Sequence, residues 1–177
     1  SLDWAGFRAI EPAEWGVLLL WVGGALFISF MCSLLEAVLM ASDEFKLQAM
    51  AAKGDSGAVR MLKVKEKTED SIAAILSLNT VAHTVGATLA GAQAMEMFTS
   101  QWMGVFSGVL TFLILVLTEI IPKNAGERYP ERFSGFSSFL LLRIIVPAMT
   151  PIVFANRVLV KILYGEREEG VERETVI

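Results

Sequence analysis

Three stretches of this sequence place polar groups among apolar ones at spacings that a helix brings together. In "ISFMCSLLE", Ser29, Ser33 and Glu36 fall on one helical face. In "NTVAHTVG", Asn79, His83 and Gly86 repeat the same spacing, with Ser77, Thr80 and Thr84 beside them. In "LTEIIPK", Thr118 and Glu119 precede Pro122 and Lys123, and Thr111 lies about two turns earlier on or next to the same face. A carboxylate, a hydroxyl and an amide oxygen form a hard-oxygen donor set that suits Mg²⁺, Ca²⁺ or Na⁺ and suits zinc or copper poorly.

Pro122 adds to this chemistry. It has no amide proton, so in a continuous helix the carbonyl of Thr118 would lose its donor beside the Glu119 carboxylate. Such free carbonyls at membrane depth survive only where protein or a cavity surrounds them, and there they hold cations. With Glu119 and Lys123, the proline closes a run of about twenty uncharged residues.

The elements that must position these groups are membrane helices. The chain of 177 residues is 54% hydrophobic and 19% charged, with a mean hydropathy of +0.56, values outside the range of an ordinary soluble domain. The apolar residues come in blocks: Trp15 to Leu35 holds no charge, Ile72 to Met95 holds only His83, and Met97 to Thr118 holds none. Each block has the length of about twenty residues that a helix needs to cross the hydrocarbon core. A carboxylate at the end of such a block costs roughly 2.5 kcal/mol or more, so Glu119 is a functional candidate by default.

Bland readings stand beside these. Ser29, Thr80, Thr84 and Thr111 are expected to bond only their own helix backbone. Asn79 could be a ligand or interhelical glue, and His83 reads as a packing histidine before a ligand. Glu36, nearer the helix end, could serve the site or pair with a lysine. Cys32 is the single cysteine, reads as packing, and leaves no intrachain disulfide to draw.

Charge gives the topology. Lys46, Lys53, Arg60, Lys63, Lys65 and Lys67 separate the first two blocks, whereas "EMFTSQW", between the second and third, has no Lys or Arg. The positive-inside bias therefore places residues 43–70 in the cytoplasm and 96–102 outside, and Lys123, Arg128 and Arg132 return to the cytoplasm after a third crossing. Trp15 and Trp102 both fall at the outer interface. Within 43–70 the spacing predicts two short helices, the first capped by Ser42 and ended by Gly54, the second restarting at an Asp-Ser cap. Their basic side chains suit lipid headgroups or a solvated face equally.

Residues 133–164 are apolar but carry Arg143, Pro147, Pro151 and Arg157, so short interfacial or re-entrant helices are expected there in place of a fourth crossing. The start, residues 1–14, lacks a signal-peptide pattern and is expected outside the cell. The tail, residues 165–177, reads as a cytoplasmic linker to a further module. The expected architecture is thus an all-α membrane protein: three transmembrane helices within 15–164, with juxtamembrane helices at about 43–70 and 124–164.

The chain resembles the cyclin M and CorC group of magnesium transporters over about residues 15–164. "CSLLEAVLMAS" is similar to that family's first-helix serine motif, "ILSLNTVAHT" to its second-helix asparagine motif, and "LTEIIPK" to its most specific signature. The resemblance implies a multi-pass homodimer in the cell membrane that exports Mg²⁺ in exchange for Na⁺. Carried over by position, Ser33, Asn79 and Glu119 would line an inward-facing cation pocket, with Ser77, Glu36 and Thr118 as secondary candidates, while Pro122 would break the third helix and Lys123 would mark its cytoplasmic end. It also implies nucleotide binding only through cytosolic modules beyond this chain, and lipid and ions as partners, with no nucleic acid. Leu34 and Leu78 stand where many relatives have glycine, which closes off backbone at those points.

Two other function classes are open to test. A membrane-embedded sensor or anchor would bind Mg²⁺ and bias a cytosolic module without moving ions. An intramembrane hydrolase finds no support, because neither His-Glu-x-x-His nor Gly-x-Ser-x-Gly occurs in the chain.

Overall fold

The computed structural model describes residues 11–164, and every regular element among them is a helix. The tail at 165–177 and most of the N-terminal segment at 1–14 lie outside the described residues; α1 takes up the end of that segment. α1 (Pro12–Ala41) starts with Pro12 in its first turn, where a missing N–H costs nothing, and Glu14 accepts the Glu11 N–H at 3.1 Å. Its final turn closes with the Ser42 hydroxyl donating back to the Val38 carbonyl at 2.6 Å.

Two short helices follow, as the turn chemistry predicts. The cap of α2 (Glu44–Ala52) is Asp43, which accepts the Lys46 N–H at 3.0 Å, and not Ser42 as expected from sequence; Ser42 is already committed to α1. Gly54, at φ 90°, ends α2 in the left-handed region that glycine enters freely. Asp55 caps α3 (Ser56–Lys65) by accepting from Gly57 N at 2.7 Å and Ala58 N at 3.1 Å. Lys65 reaches neither lipid nor open water: its Nζ donates to Ser42 O at 2.7 Å and Leu39 O at 3.3 Å, closing the carbonyl end of α1.

Among the described residues, four helices are long and apolar enough to cross a membrane: Pro12–Ala41, Thr68–Met97, Ser100–Arg128 and Pro130–Leu159. The second is α4 (Thr68–Met97). The third combines α5 (Ser100–Leu113), a π-helical stretch (Ile114–Ile120) and α6 (Ile121–Arg128). The fourth combines α7 (Pro130–Leu140), a π-helical stretch (Leu141–Ile145) and α8 (Val146–Tyr164). The short helices expected over 133–164 are therefore one continuous helix, and Arg143 and Pro147 do not interrupt it.

Of the three prolines expected to disrupt a helix, Pro122 and Pro147 are absorbed the same way, while Pro151 sits inside α8. Each π stretch ends two residues before a proline, Ile120 before Pro122 and Ile145 before Pro147. The defining i→i−5 bonds are present, from Ile121 N to Val116 O and from Val146 N to Leu141 O. A proline ring inside an α-helix collides with the carbonyl four residues back, and the wider register moves that carbonyl aside. Pro122 consequently bends the expectation without breaking the helix, which runs on to Arg128.

The core sits at the end of the bundle that carries α2 and α3. Leu35, Val38 and Leu39 of α1 meet Leu47, Met61, Val64, Ala74 and Ile75, and Leu141 and Ile145 of the fourth helix close over them. Along its length that helix keeps to this end: Glu131 pairs with Lys46 at 2.9 Å, Ser138 Oγ donates to Gly57 O at 3.3 Å, and Arg157 grips Asp70 at the start of α4 with both Nε, at 2.7 Å, and Nη2. The hydrogen bond and the charge of Glu131 raise the Lys46 ammonium above its usual pKa. A smaller cluster of Leu18, Ala90, Ala94 and Met97 holds the opposite end, with Trp15 edge-on to Phe98. α5 has no buried residue, and a Cβ added at Gly104 or Gly108 would meet nothing within 4 Å among the described residues.

The third helix is pressed on α1 through a single glycine. A Cβ at Gly126 would stand 2.7 Å from Ala37 Cβ and 3.0 Å from the Leu34 carbonyl, both on α1. Gly126→Val should therefore cost about 1–3 kcal/mol and lower the thermal unfolding midpoint in detergent, whereas Gly91→Val, at a site with nothing within 4 Å of the added Cβ, should not. Equal midpoints for the two variants would refute this packing.

Candidate functional site

The polar stripes of the three helices converge in layers along the bundle. Ser29, Ser33 and Glu36 descend α1 toward the α2–α3 end, at a rise of about 1.5 Å per residue. α4 and the π-helical stretch present their polar residues to the same side.

The upper layer joins three helices through one hydroxyl. Ser29 Oγ lies 2.6 Å from His83 Nε2 and donates to Thr118 Oγ1 at 2.9 Å, and Thr118 in turn donates to Ile114 O at 2.7 Å. With its proton given to Thr118, Ser29 accepts from His83, which assigns Nε2 as the protonated ring nitrogen. Ser29 and Thr118 are fully buried. The Thr118 bond takes up a carbonyl inside the π stretch, whose register offsets the usual backbone pairing.

This layer corrects one expectation. Ser29 does not bond its own backbone, whereas Thr80 and Thr111 do, at 2.8 Å to Leu76 O and 2.8 Å to Ser107 O. Ser77, a secondary candidate, is likewise turned back to Ala73 O at 2.7 Å. His83 is engaged by Ser29, as a satisfied histidine should be.

Below it lies the charged layer. Asn79 Nδ2 approaches Glu119 Oε1 at 3.4 Å, and Lys123 Nζ stands 3.4 Å from Glu119 Oε2 and 3.4 Å from Glu36 Oε2. Glu36 thus joins the cluster through a lysine, one of the two roles open to it from sequence. Two carboxylates against one ammonium leave a formal excess of one negative charge. Four buried polar side-chain atoms have no hydrogen-bond partner among the described residues: Arg60 Nε and Ser137 Oγ, and two that belong to residues singled out with Glu119, Ser33 Oγ and Asn79 Oδ1. A buried oxygen without a donor costs about 1–3 kcal/mol, and a bound cation is one way to satisfy it.

No group of three or more His, Cys, Asp or Glu side chains gathers among the described residues. Cys32 is buried and free, one residue from Ser33, consistent with packing. An apolar groove of about 360 Å³ between α1 and α4, lined by Trp21, Ile28, Val81 and Val85 among others, carries no charged group and suits hydrocarbon, not an ion.

Residues 21–176 match the family described as the cyclin M transmembrane N-terminal domain. The chain belongs to the cyclin M family. Within it, the chain is 33% identical over 126 residues to the UPF0053 protein sll1254 of Synechocystis, covering 71% of this chain and 36% of that protein. It is 29% identical over 142 residues to the UPF0053 inner membrane protein YfjD of Escherichia coli, covering 80% of this chain and 32% of that protein. The chain therefore spans about a third of the length of the curated relatives it matches. The family match and the long apolar helices identify a multi-pass membrane protein, and the cyclin M match runs through all three polar stripes described above.

The shared hydroxyl of Ser29 generates a test. Ser29→Ala strips both His83 Nε2 and Thr118 Oγ1 of a partner inside the bundle, so it should cost about 1–3 kcal/mol, read as a lower thermal midpoint in detergent. Thr80→Ala, which removes only a bond to its own helix, should be nearly silent. A silent Ser29→Ala would show that the layer carries no stability.

Proposed function

We propose that this domain transports Mg²⁺ across the membrane through an inward-facing pocket lined by Ser33, Asn79 and Glu119, in exchange for Na⁺. The observation that carries the reading is the Glu119 carboxylate, held at the π-helical stretch with Asn79 at 3.4 Å, while Asn79 Oδ1 and, on α1, Ser33 Oγ are buried without a hydrogen-bond partner among the described residues. One carboxylate and neutral oxygens bind Mg²⁺ loosely enough to release it, because the ion keeps several waters and prefers near-octahedral oxygen at about 2.0–2.1 Å. Thr118, committed to Ser29 and Ile114, supports the site without joining it.

The proposed topology has three crossings. Lysines and arginines gather at the α2–α3 end, which is the cytoplasmic one by the positive-inside bias. The fourth helix is long enough to cross, yet its contacts at Glu131, Ser138 and Arg157 all fall on that same end, so it lies beneath the bundle as a belt. The N-terminus is then outside and the tail cytoplasmic. A homodimer suits the bare apolar face of α5, whose glycines have room for another helix.

Glu119→Gln keeps the shape of the side chain and loses its charge, so calorimetric titration should show Mg²⁺ binding in the parent protein and none in the variant, with helical content unchanged. Wild-type affinity in the variant would end the assignment. Transport separates from sensing in proteoliposomes holding the whole protein: an imposed Na⁺ gradient should change internal Mg²⁺, whereas binding without flux would favour a membrane-embedded sensor.

A further inference from the structure

The lysine at the site is more than the end marker that its position suggests. Lys123 Nζ is 3.4 Å from a carboxylate on α1 and 3.4 Å from a carboxylate on its own helix, four residues back. Both distances exceed the roughly 2.7–2.9 Å of a locked charge-assisted bond, so the ammonium is shared between Glu36 and Glu119 and committed to neither. Although lysine is a pure donor, Ser33 Oγ and Asn79 Oδ1 remain without one. The Lys123 side chain is 41% exposed, on a flexible four-carbon stem, so protein does not enclose its head and it can swing away from the carboxylates.

We propose that Lys123 is a tethered competitor for the cation site: its ammonium neutralises Glu36 and Glu119 when no divalent ion is bound, is expelled when one binds, and biases the site against singly charged ions. The inference rests on the reading of Glu119 as a cation ligand. A metal ion coordinated by a Glu119 oxygen sits close to an ammonium that is 3.4 Å from the same carboxylate, and like charges at that range repel strongly in a poorly solvated place. A divalent ion gains twice the attraction of the two carboxylates and displaces the lysine. A monovalent ion offers only the charge that the ammonium already supplies, and the ammonium has the advantage of attachment to the chain.

The test is calorimetric titration of Mg²⁺, alone and against added Na⁺, for the whole chain with Lys123, Lys123→Gln and Lys123→Arg. Lys123→Gln should bind Mg²⁺ about tenfold or more tightly and be inhibited by lower Na⁺, and Lys123→Arg should stay near the parent. Parent-like or weaker Mg²⁺ binding in Lys123→Gln, with helical content retained, would overturn the competitor role and leave the Glu119 site standing. No Mg²⁺ binding in any of the three would remove both together. Amine acylation of the unmodified protein, read by mass spectrometry, gives a check that needs no variant. Saturating Mg²⁺ should speed labelling of Lys123 several-fold, and an unchanged rate would overturn the proposal.

Discussion

An ionised carboxylate far down an apolar helix must be compensated where it stands, and the charged layer of this domain is organised around that requirement. Glu119 follows a run of residues without charge, in a medium where an unpaired anion is expensive. Its compensation comes from three directions: Asn79 from α4, Lys123 from one turn onward, and the helix register itself, which is loosened to π form where the carboxylate is displayed. Asn79 and Lys123 both stand 3.4 Å from the carboxylate, longer than a tight charged pair. The result is a carboxylate held loosely enough to exchange partners.

The rest of the fold separates rigidity from that loosely held site. Packing is densest where α1, α2, α3 and the fourth helix meet, with Leu35, Val38 and Leu39 wholly buried. Close backbone approaches, Gly126 against α1 and Gly57 against Gly135, tie the same region together. Towards the other end the helices touch less, and α5 presents only exposed or half-buried side chains. The third helix is thus anchored below Glu119 and comparatively free above it.

Much of this could be read before any coordinates, and the reason is physical. Absence of charge over about twenty residues is a statement about solvent that needs no knowledge of packing, so the apolar blocks matched helices directly. Glu119, Asn79 and Ser33 stand out as candidates in the sequence because polar groups at helical spacing in such blocks must face protein, and the structure brings Asn79 to Glu119. The pairs between helices were harder. Ser29 looked like a residue bonded to its own turn, and only the rotation of α1 against α4 shows that it serves His83 and Thr118. Pro122 signals a fault in the helix without saying which kind, since a break and a widened turn both remove the same clash. Residues 133–164 misled for the same reason, because their prolines are housed in one unbroken helix. The cap at Asp43 and the reach of Lys65 to the end of α1 depended on choices between adjacent residues that composition leaves open.

The grip of Arg157 on Asp70 deserves a mechanical reading. A planar guanidinium that meets a carboxylate with two nitrogens constrains angle as well as separation. Since the same rod is also held near its start by Glu131, it resists rolling about its long axis. The Arg157 end of the rod therefore keeps a set heading against α4. Torque applied beyond that point would be delivered to the base of α4, on whose unbroken length Asn79 rides.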